Sequence, residues 1–480
     1  MTRTKPEAGI MDTTHPLPAS ALRSLSASLH GMLITGADPE YGEARSVWNA
    51  MIDRHPILVV RAADVADVCL ALAFARDHRL PLAIRAGGHN VAGFGTVEHG
   101  LVLDLRALNT VHVDPAGQQV RTGGGTLLGE LDRATSVHGL AVPVGVISQT
   151  GVAGLCLGGG LGWLTRPHGL TVDNLLAADL VTAEGEVLHT DASTNPELLW
   201  GLTGGGGNFG VVTDFTFKAH PLPETLYSGN LIYRVEHWKQ ALRALRDWAL
   251  ALPDPMTVIV SVLVPPADWD LGTKSILVVG FLWADPDHAA GVACVEDFTA
   301  KAPPDEQEVS PASWPAWQSS MDALFPKGVR AYWKNSAFDA LSDDAIEVLV
   351  AHATQLDWPG TAFDIHVMGG AMGRVPLGAT AFPDRSSPFW LNIYGFWNDS
   401  NRDAHHVAFI RGFHREMQRF SSGGEYTNFS SSDDHFPRGF DALGVFGEEK
   451  LARLTALKDR YDPNNLLRLN HNIVPPRAEG

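Results

Sequence analysis

The first half of the chain alternates short apolar runs with segments of helical periodicity. Strands are predicted at 57–62 and 80–86, because short apolar, β-branched runs occur there. Apolar residues recur at helical spacing over 64–78 and over 126–139, and a glycine closes the second of these helices. The stretch 175–191 predicts two strands joined by a Glu-Gly turn. This alternation continues to about residue 222 and predicts one mixed domain.

After residue 223 the predicted elements lengthen and aromatic residues become frequent. Long strands are predicted at 256–265 and 274–284, and helices at 237–253, 341–356 and 403–420. These patterns predict a second α+β domain over 223–425, built on an antiparallel sheet. The last segment, 426–480, holds an amphipathic helix and then a loop with two asparagines.

Composition narrows the class of protein. The 480 residues are 45% apolar and 19% charged, which is typical of a globular protein. A formal charge of −18 argues against nucleic acid or an anionic membrane as a partner, although it also serves solubility. The three cysteines lack CxxC spacing, which excludes a disulfide framework and a cysteine-based metal site. The histidines show no metal-ligand spacing either, so we predict no metal.

Two segments bear on location. The first thirty residues contain no apolar core of a secretory signal, so we expect a cytoplasmic protein, monomeric or homodimeric. The stretch 140–165 has no charged residue and is long enough to span a bilayer. Its seven glycines would make a poor helix, which favours irregular backbone buried against an uncharged, flat object. Glycine-mediated packing between elements is the alternative.

Glycine clusters point to a ligand with phosphates. They stand at 87–88, 123–125, 158–162 and 204–210. Gly205, Gly207 and Gly210 satisfy GxGxxG, but a helix-like segment precedes them and a strand follows, which is the wrong context for a Rossmann fold. Glycine lets backbone amides approach a ligand and bind anions. Several such turns in one domain suit a dinucleotide with a pyrophosphate and a flat ring.

Four stretches, taken together and in order, resemble a known family. They are AIRAGGHNVAGFGTVEHGLVLDL, GVAGLCLGGGLGWLTRPHGLTVDNLLAADLVTAEGEV, ELLWGLTGGGGNFGVVTDFTF and RYDPNNLLRLNHNIVP. The chain resembles the berberine-bridge-enzyme-like branch of the vanillyl-alcohol-oxidase (PCMH-type) flavoproteins, near the bacterial 6-hydroxy-D-nicotine oxidase type. The resemblance implies an α+β fold: a two-subdomain PCMH-type FAD-binding domain over 1–222 (core about 52–222), a substrate domain over 223–425 whose antiparallel sheet is covered by helices, and a return segment over 426–480 that completes the FAD-binding domain.

The resemblance also implies how FAD is held. His89 would carry it covalently, through a bond from an imidazole nitrogen to the 8α-methyl group of the ring; a non-covalent turn histidine is the alternative. Further cofactor-binding residues are expected in the glycine-rich stretches and at the C-terminus, where plain turn chemistry is the alternative. They are Arg85, Ala86, Gly87, Gly88, Asn90, Val91, Ser148, Thr150, Gly151, Gly154, Leu155, Gly159, Gly160, Gly162, Trp163, Asn174, Gly210, Val211, Val212, Asn470 and Asn472.

Some members of the family attach the flavin a second time, through a cysteine. When the family's CPTxGxGGHxxGGGxG pattern is aligned on GGGLG, this cysteine falls at Ile147, nine residues before Cys156. Isoleucine forms no thioether, so we predict a single link through His89. Cys156 is expected to pack as a small apolar residue beside the ring.

The family architecture places the substrate between the flavin and the antiparallel sheet. Strand alternation puts Asp364, His366 and Met368 on one face, and Asn392, Tyr394 and Phe396 on one face. Tyr394 and His366 are therefore the first candidates for catalysis, and Tyr426 and Tyr332 are weaker ones. Each of the four could instead be a packed, hydrogen-bonded residue of the sheet.

The resemblance implies an FAD-dependent oxidase. It would take a hydride from an alcohol or amine of an alkaloid-, polyketide- or similar secondary-metabolite-like molecule, and pass the electrons to O2 to give H2O2. The tryptophans Trp314, Trp317, Trp333, Trp390 and Trp397 favour a ring-bearing substrate if some of them line the site. The alternatives are a flavin dehydrogenase or an oxidase of sugars or 2-hydroxy acids, and a flavin-storing protein without activity.

Overall fold

The computed structural model describes residues 17–356, 358, 360–431 and 440–476. Residues 1–16 of the predicted FAD-binding domain lie outside the described residues. The same is true of 432–439 and 477–480 in the predicted return segment.

A four-stranded sheet opens the fold and carries the GGHN sequence at the end of one strand. The strands are β1 Met32–Thr35, β2 Leu58–Arg61, β3 Leu82–Arg85 and β4 Leu101–Asp104. Their order is β1-β2-β4-β3; β1 is antiparallel to β2, and the other pairs are parallel. The associated helices are α1 Ala19–Ser28, α2 Tyr41–Arg45 and α3 Val65–Asp77. Because β3 ends at Arg85, His89 stands in the loop at the carboxyl end of a parallel strand.

A five-stranded antiparallel sheet follows. The elements are β5 Val111–Asp114, β6 Gln119–Gly123, α4 Leu128–Ser136, β7 Leu140–Ala141, α5 Val152–Leu157, α6 Thr165–His168, β8 Leu175–Val181, β9 Val187–Asp191, α7 Pro196–Leu202, β10 Val211–Lys218 and β11 His220–Pro221. The sheet order is β5-β6-β10-β8-β9, and β7 pairs separately with β11. The predicted strand pair over 175–191 is confirmed as β8 and β9.

The second half forms a seven-stranded antiparallel sheet. Its elements are β12 Leu226–Tyr233, α8 Trp238–Ala249, β13 Met256–Val264, β14 Ile276–Trp283, α9 His288–Lys301, β15 Glu306–Ala312, α10 Trp314–Gln318, β16 Arg330–Phe338, α11 Asp343–Ala353, β17 Gly360–Val367, α12 Ala371–Arg374, β18 Phe389–Trp397 and α13 Asp403–Met417. The strand order is β15-β12-β14-β13-β17-β18-β16. Helices α8, α9, α11 and α13 cover one face and form a large apolar core with it. The opposite face looks toward the first half of the chain.

The last described helix, α14 Ala442–Tyr461, returns to the first half of the molecule and packs near α7. Its residues Leu454 and Leu457 belong to the same apolar core as the five-stranded sheet. Short 3-10 helices lie at Thr171–Asn174, Val235–His237, Ala267–Trp269, Asp322–Leu324, Leu377–Ala379, Ser400–Arg402, Gln418–Phe420 and Thr427–Phe429. No helix in the described part of the chain is long and apolar enough to cross a membrane.

The α+β architecture with a helix-covered antiparallel sheet is therefore confirmed. One local expectation is wrong: the uncharged stretch 140–165 is not irregular throughout, since it contains α5. That helix forms because Val152, Cys156 and Leu157 bury themselves in the core against the five-stranded sheet. Burial of an apolar face stabilises a short helix that its glycine content would otherwise disfavour.

Candidate active site

A large cavity lies between the glycine-rich loops and the exposed face of the seven-stranded sheet. It encloses about 1810 Å³, open space at its mouth included. One end is lined by residues of three loops, 84–90, 145–158 and 204–212, and by Asn470 and His471 from the C-terminal return. The other end is lined by Phe325, Trp333, His366, Tyr394 and 426–429. This shape can take a long ligand that ends at the sheet.

Two glycines bring the first two loops into backbone contact. A Cβ built on Gly87 would lie 2.4 Å from the amide nitrogen of Gly151, and one on Gly151 would lie 2.4 Å from the amide nitrogen of Gly87. Real Cβ atoms do not approach so closely, so only glycine fits at both positions. The contact leaves both loops at the cavity wall.

His89 lies at this wall with its ring stacked on Trp48. The ring centroids are 4.7 Å apart and the planes differ by 25°. Burial lowers the pKa of His89 to about 4, so the imidazole is neutral near pH 7. Its Nε2 is buried and has no hydrogen-bond partner among the described residues. His89 therefore lines the cavity as a neutral imidazole, a form that is chemically able to bond to a ligand there.

Arg85 also lines the cavity, directly before the glycines. Its guanidinium is almost fully buried and donates to the carbonyl oxygen of Ala44. Burial lowers its pKa to about 10, which leaves it charged at neutral pH. Its Nε has no hydrogen-bond partner within the described part of the chain. Arg85 therefore places a positive charge beside the loop.

The loop 145–151 contributes Ile147 and Thr150 to the cavity wall. Cys156 does not line the cavity, because α5 turns its side chain into the core of the five-stranded sheet. Burial raises the pKa of the Cys156 thiol, so it stays protonated. The expected position of Cys156 beside the ring is thus corrected: the thiol lies behind the wall.

The C-terminal return completes the far end of the cavity. The Asn470 side chain donates through Nδ2 to the carbonyl oxygens of Gly207 (3.1 Å) and Leu467 (3.0 Å). Asn208 donates through Nδ2 to the carbonyl of His471 at 3.0 Å. These bonds fasten the return to the loop 204–210, whose glycines 204–207 and 210 line the cavity.

At the other end, strand alternation places polar side chains toward the cavity. Phe363, Ile365 and Val367 pack into the helix-covered core, which leaves Asp364 and His366 on the opposite face of β17. His366 lines the cavity, and burial lowers its pKa to about 4, so it is neutral at pH 7.

Asp364 and Tyr394 form a buried pair on this face. Asp364 is paired with Asn392 across β17 and β18, and Tyr394 lies two residues further along β18. The Asp364 carboxyl accepts a hydrogen bond from Ser261 Oγ at 2.5 Å. Burial raises its pKa to about 6, whereas burial and the nearby carboxylate raise the pKa of Tyr394 well above its ordinary value of 10. At neutral pH the pair is a buried, ionised carboxylate beside a neutral phenol, and the phenol lines the cavity.

Aromatic rings surround Tyr394. Its ring lies edge-on to Trp333 at 5.1 Å and to Phe325 at 5.4 Å, and Phe429 meets Trp333 at 6.0 Å. The four rings all line the cavity, which makes this end a largely apolar slot. Of the five tryptophans singled out from the sequence only Trp333 lines it; Trp314, Trp317, Trp390 and Trp397 do not.

Tyr426 lines the cavity but its hydroxyl is committed to the protein. It accepts hydrogen bonds from the amide of Gly160 and from Asn428 Nδ2, both at 2.9 Å. Burial raises the pKa of Tyr426 to about 12. The hydroxyl therefore ties the 426–429 segment to the glycine loop, and it is a poor proton acceptor.

Tyr332 lies elsewhere. Its strand, β16, turns it to the helix-covered face, where its hydroxyl accepts from Arg411 Nε at 3.0 Å. The neighbouring Trp333 takes the cavity position instead. The expectation of Tyr332 in the site is therefore wrong, because successive residues of the strand point to opposite faces and Tyr332 is on the face away from the cavity.

The predicted cofactor residues fall into two groups, those that line the cavity and those that do not. Those at the cavity wall are Arg85, Ala86, Gly87, Gly88, His89, Asn90, Thr150, Gly151, Gly154, Leu155, Gly210, Val211, Val212 and Asn470. Those away from it are Val91, Ser148, Gly159, Gly160, Gly162, Trp163, Asn174 and Asn472.

Packing within the protein explains several of the latter group. A Cβ on Gly162 would lie 1.8 Å from the carbonyl oxygen of Val144. Glycine is therefore required at this position by the neighbouring protein backbone and not by a ligand. The Trp163 ring packs on Trp317 at 5.1 Å. Asn174 Oδ1 accepts a hydrogen bond from His220 Nε2 at 2.6 Å, and Asn174 Nδ2 donates to the carbonyl oxygen of Leu170 at 2.9 Å.

Three site residues escape sequence reasoning. Trp48 precedes the predicted core of the first domain, Phe325 lies in a connection, and Ser261 is one residue of a long apolar strand. No motif marks them: Phe325 lines the cavity, while Trp48 and Ser261 contact His89 and Asp364 from behind its wall.

Comparison with family models adds two matches. Residues 56–191 match the model described as FAD binding domain, and residues 443–474 match the one described as berberine and berberine like. These segments contain the GGHN loop and the C-terminal return.

Two relatives illustrate the similarity in sequence. An FAD-linked oxidoreductase of Dictyostelium discoideum is 29% identical over 454 residues, which cover 93% of this chain and 95% of the relative. The (R)-6-hydroxynicotine oxidase of Paenarthrobacter nicotinovorans is 34% identical over 238 residues, which cover 50% of this chain and 51% of that enzyme.

Two solved structures share the fold. The 6-hydroxy-D-nicotine oxidase of Arthrobacter nicotinovorans superposes with a TM-score of 0.80 at 25% identity, covering 93% of this chain and 98% of that one. The glucooligosaccharide oxidase of Acremonium strictum, which carries a 6-S-cysteinyl, 8α-N1-histidyl FAD, gives a TM-score of 0.82 at 21% identity, covering 96% and 99%.

Proposed function

Because the chain belongs to the berberine-bridge-like FAD-linked oxidoreductases, we propose that it is an FAD-dependent oxidase of a small, ring-bearing alcohol or amine. The observation that carries this proposal is that His89 and Tyr394 line the same cavity. One end of the cavity suits a dinucleotide, and the other offers an apolar slot with a proton acceptor.

The residues present fit FAD. The close Gly87–Gly151 contact brings the backbones of both loops to the cavity wall, and His89 presents a neutral imidazole there. His89 would hold the flavin covalently, with Arg85 and the amides of 86–90 near its phosphates or ribityl chain. Thr150, Gly151, Gly154 and Leu155 would border the ring, and Gly210–Val212 with Asn470 the far end.

A single covalent link is proposed. The family's second attachment position is Ile147, which lines the cavity but has no nucleophile. Cys156 is turned into the core and keeps its proton. The glucooligosaccharide oxidase named above differs here, since its FAD carries a cysteinyl bond as well.

Bound FAD supplies hydride acceptance from a substrate C–H bond and the return of the electrons to O2 as H2O2. The chain supplies the path for the proton. A substrate hydroxyl or amine that donates to Tyr394 Oη can pass its proton to that oxygen while the phenolic proton moves to Asp364. This relay suits the two groups, because a phenol with a raised pKa does not ionise alone, whereas a carboxyl with a pKa of about 6 is ionised at pH 7. His366 would orient the substrate as a neutral hydrogen-bonding group.

The slot favours a planar ring over a sugar. Phe325, Trp333, Tyr394 and Phe429 present rings to the cavity, and faces or edges of rings bind flat apolar molecules. A sugar carries many hydroxyl groups, and each one that is buried without a hydrogen-bond partner costs free energy. The polar residues at the sheet end of the cavity wall are His366, Tyr394, Tyr426, Thr427 and Asn428. Of these, the Tyr426 hydroxyl and Asn428 Nδ2 are already hydrogen-bonded within the protein.

The three-part domain division is also proposed, as 1–222 and 426–480 for the flavin and 223–425 for the substrate. The position of β11, which ends at Pro221, and of β12, which begins at Leu226 in a different sheet, supports the first boundary.

The test is anaerobic reduction of the purified yellow protein by a panel of phenolic alcohols, cyclic amines, 2-hydroxy acids and oligosaccharides. Bleaching by ring-bearing compounds, followed by peroxide release when oxygen is admitted, is expected. Bleaching by sugars or hydroxy acids alone would overturn the substrate class. Bleaching without reoxidation by oxygen would make the protein a dehydrogenase, and no bleaching except by dithionite would contradict an enzymatic role.

A further inference from the structure

One segment of the proposed substrate domain (223–425) contacts the proposed FAD-binding domain (1–222 and 426–480) at several successive residues. This segment, Trp314–Phe325, consists of α10, a turn and a 3-10 helix. At its start the Trp314 indole donates to Asp132 Oδ1 on α4 at 2.9 Å, and both side chains are buried. The contact anchors the segment to the helix that precedes the loop 145–151.

Two side chains from this segment grip that loop. Gln318 Nε2 donates to the carbonyl oxygen of Gly145 at 2.5 Å, and Asp322 Oδ1 accepts from the amide of Ser148 at 2.8 Å. On its other side the loop is held by α4, since the amide of Gly129 donates to the carbonyl of Ser148 at 2.9 Å. The loop is thus clamped between the two halves of the molecule.

The gripped part of the loop is the part that faces the cavity. Gly145, Val146 and Ile147 line the wall between the two contacts, and Thr150 lines it just beyond them. A shift of either contact would therefore move the wall itself.

The same segment reaches the site from the opposite side. The carbonyl oxygen of Phe325 accepts from Trp48 Nε1 at 3.1 Å, and Trp48 stacks on His89. The Phe325 ring meets Tyr394 at 5.4 Å in the aromatic slot. A single short segment therefore contacts the loop, the histidine's stacking partner and the substrate end.

We propose that Gln318 and Asp322 are positioning residues that hold the loop 145–150 at the cavity wall, and so fix the surroundings of the reacting ring. The part of this inference that concerns the ring rests on the proposed function. Neither residue touches a reacting atom; each acts through the backbone of the loop.

The experiment compares Asp322→Ala with Asp322→Asn, which keeps an oxygen acceptor for the Ser148 amide. Hydrogen exchange of the peptide that covers 144–152 is measured by mass spectrometry, together with the flavin absorption spectrum, kcat and KM. In Asp322→Ala we expect exchange in this peptide to rise about tenfold, because a charge-assisted hydrogen bond is lost. The visible flavin band should shift, and kcat should fall about tenfold with little change in KM, since small displacements are costly to rate. Asp322→Asn should remain near the parent protein.

Two controls sharpen the comparison. Asp287→Ala removes a similar acceptor, for the amide of Ala290 at the start of α9, and should leave the 144–152 peptide and the flavin unchanged. Gln318→Met removes the hydrogen bond to the Gly145 carbonyl oxygen while keeping the side-chain length. If Asp322→Ala does not fold, hydrogen exchange in Gln318→Met tests the proposal independently.

Unchanged exchange in both Asp322→Ala and Gln318→Met would overturn the proposal. Raised exchange with an unshifted spectrum and parental kcat would overturn the positioning role as well. A parent protein that contains no flavin would contradict the proposed function, while the exchange comparison would still decide whether these two side chains hold the loop.

Discussion

The backbones of Gly87 and Gly151 meet so closely that a Cβ on either would lie 2.4 Å from the other's amide nitrogen. This contact joins the loop that carries His89 to the loop that carries Ile147 and Thr150. The relative position of these loops therefore depends on glycine, which has no side chain, at both positions.

Gly87→Ala tests this contact. The added methyl group must push the loops apart, and overpacking of this kind costs about 1–3 kcal/mol of stability. We expect a lower free energy of unfolding and a reduced flavin-to-protein ratio, measured by denaturant unfolding and by absorbance. Gly412→Ala on α13 is the control, because nothing lies within 4 Å of its Cβ and alanine favours helix. A Gly87→Ala protein with full flavin and parental stability would contradict the contact.

The two cavity tyrosines should differ in their effect on rate. Tyr394→Phe removes the hydroxyl that we propose relays the proton, and loss of such a group costs about 10²–10⁴-fold in kcat/KM. Tyr426→Phe instead leaves the donors of Gly160 and Asn428 without their acceptor. It should cost about 1–3 kcal/mol of stability and less than about tenfold in rate. Anaerobic stopped-flow reduction and urea unfolding measure both effects. The reverse ranking would assign catalysis to Tyr426.

Asp364 predicts the pH dependence of flavin reduction. Its pKa is raised to about 6 by burial, and only the ionised carboxylate accepts a proton. The rate of reduction should therefore rise with pH through about 6 and then level off. His366, with its pKa lowered to about 4, should add no step near neutrality.

Asp364→Asn is the matching variant, since it keeps the shape but cannot take up a proton. Its rate should be lower by about 10²-fold or more and should lack the rise through pH 6. If the rise persists in Asp364→Asn, another group is the proton acceptor.

The Lys458–Asp462 ion pair holds the C-terminal return. Both side chains are fully buried and 2.7 Å apart, and Lys458 Nζ also donates to the carbonyls of Asn208 and Leu467. Lys458→Met leaves a buried charge without its partner, which costs about 3–5 kcal/mol. Denaturant unfolding should show this loss, accompanied by reduced flavin content.

The exposed pair of Lys301 with Asp297 provides the control, because it has the same four-residue spacing on a helix. Lys301→Met should change stability by about 0.5 kcal/mol or less. Equal effects of Lys458→Met and Lys301→Met would show that the buried pair does not secure the return.

Much of the fold could be predicted because two periodicities are strong in this chain. Alternation in β17 and β18 correctly separates Asp364 and Tyr394 from Ile365 and Ile393, which pack under the helices. The same rule applied to β16 would have chosen Trp333, since Tyr332 falls on the core side.

The rest of the site depends on contacts between distant parts of the chain. Trp48 contacts His89 although the two are 41 positions apart and β2, α3 and β3 lie between them in the sequence. Phe325 comes from the other half of the molecule. Sequence patterns report which face a residue occupies within one element. They carry no information on which distant element will cover that face.

We propose that His89 alone holds the flavin. The most direct measurement is acid precipitation of the purified protein, followed by proteolysis and mass spectrometry of the pellet. We predict that flavin stays with the pellet and that its mass is carried only by the peptide that contains His89, with none on the peptide that contains Cys156. Flavin released into the acid supernatant, or attached at any other residue, would contradict the account.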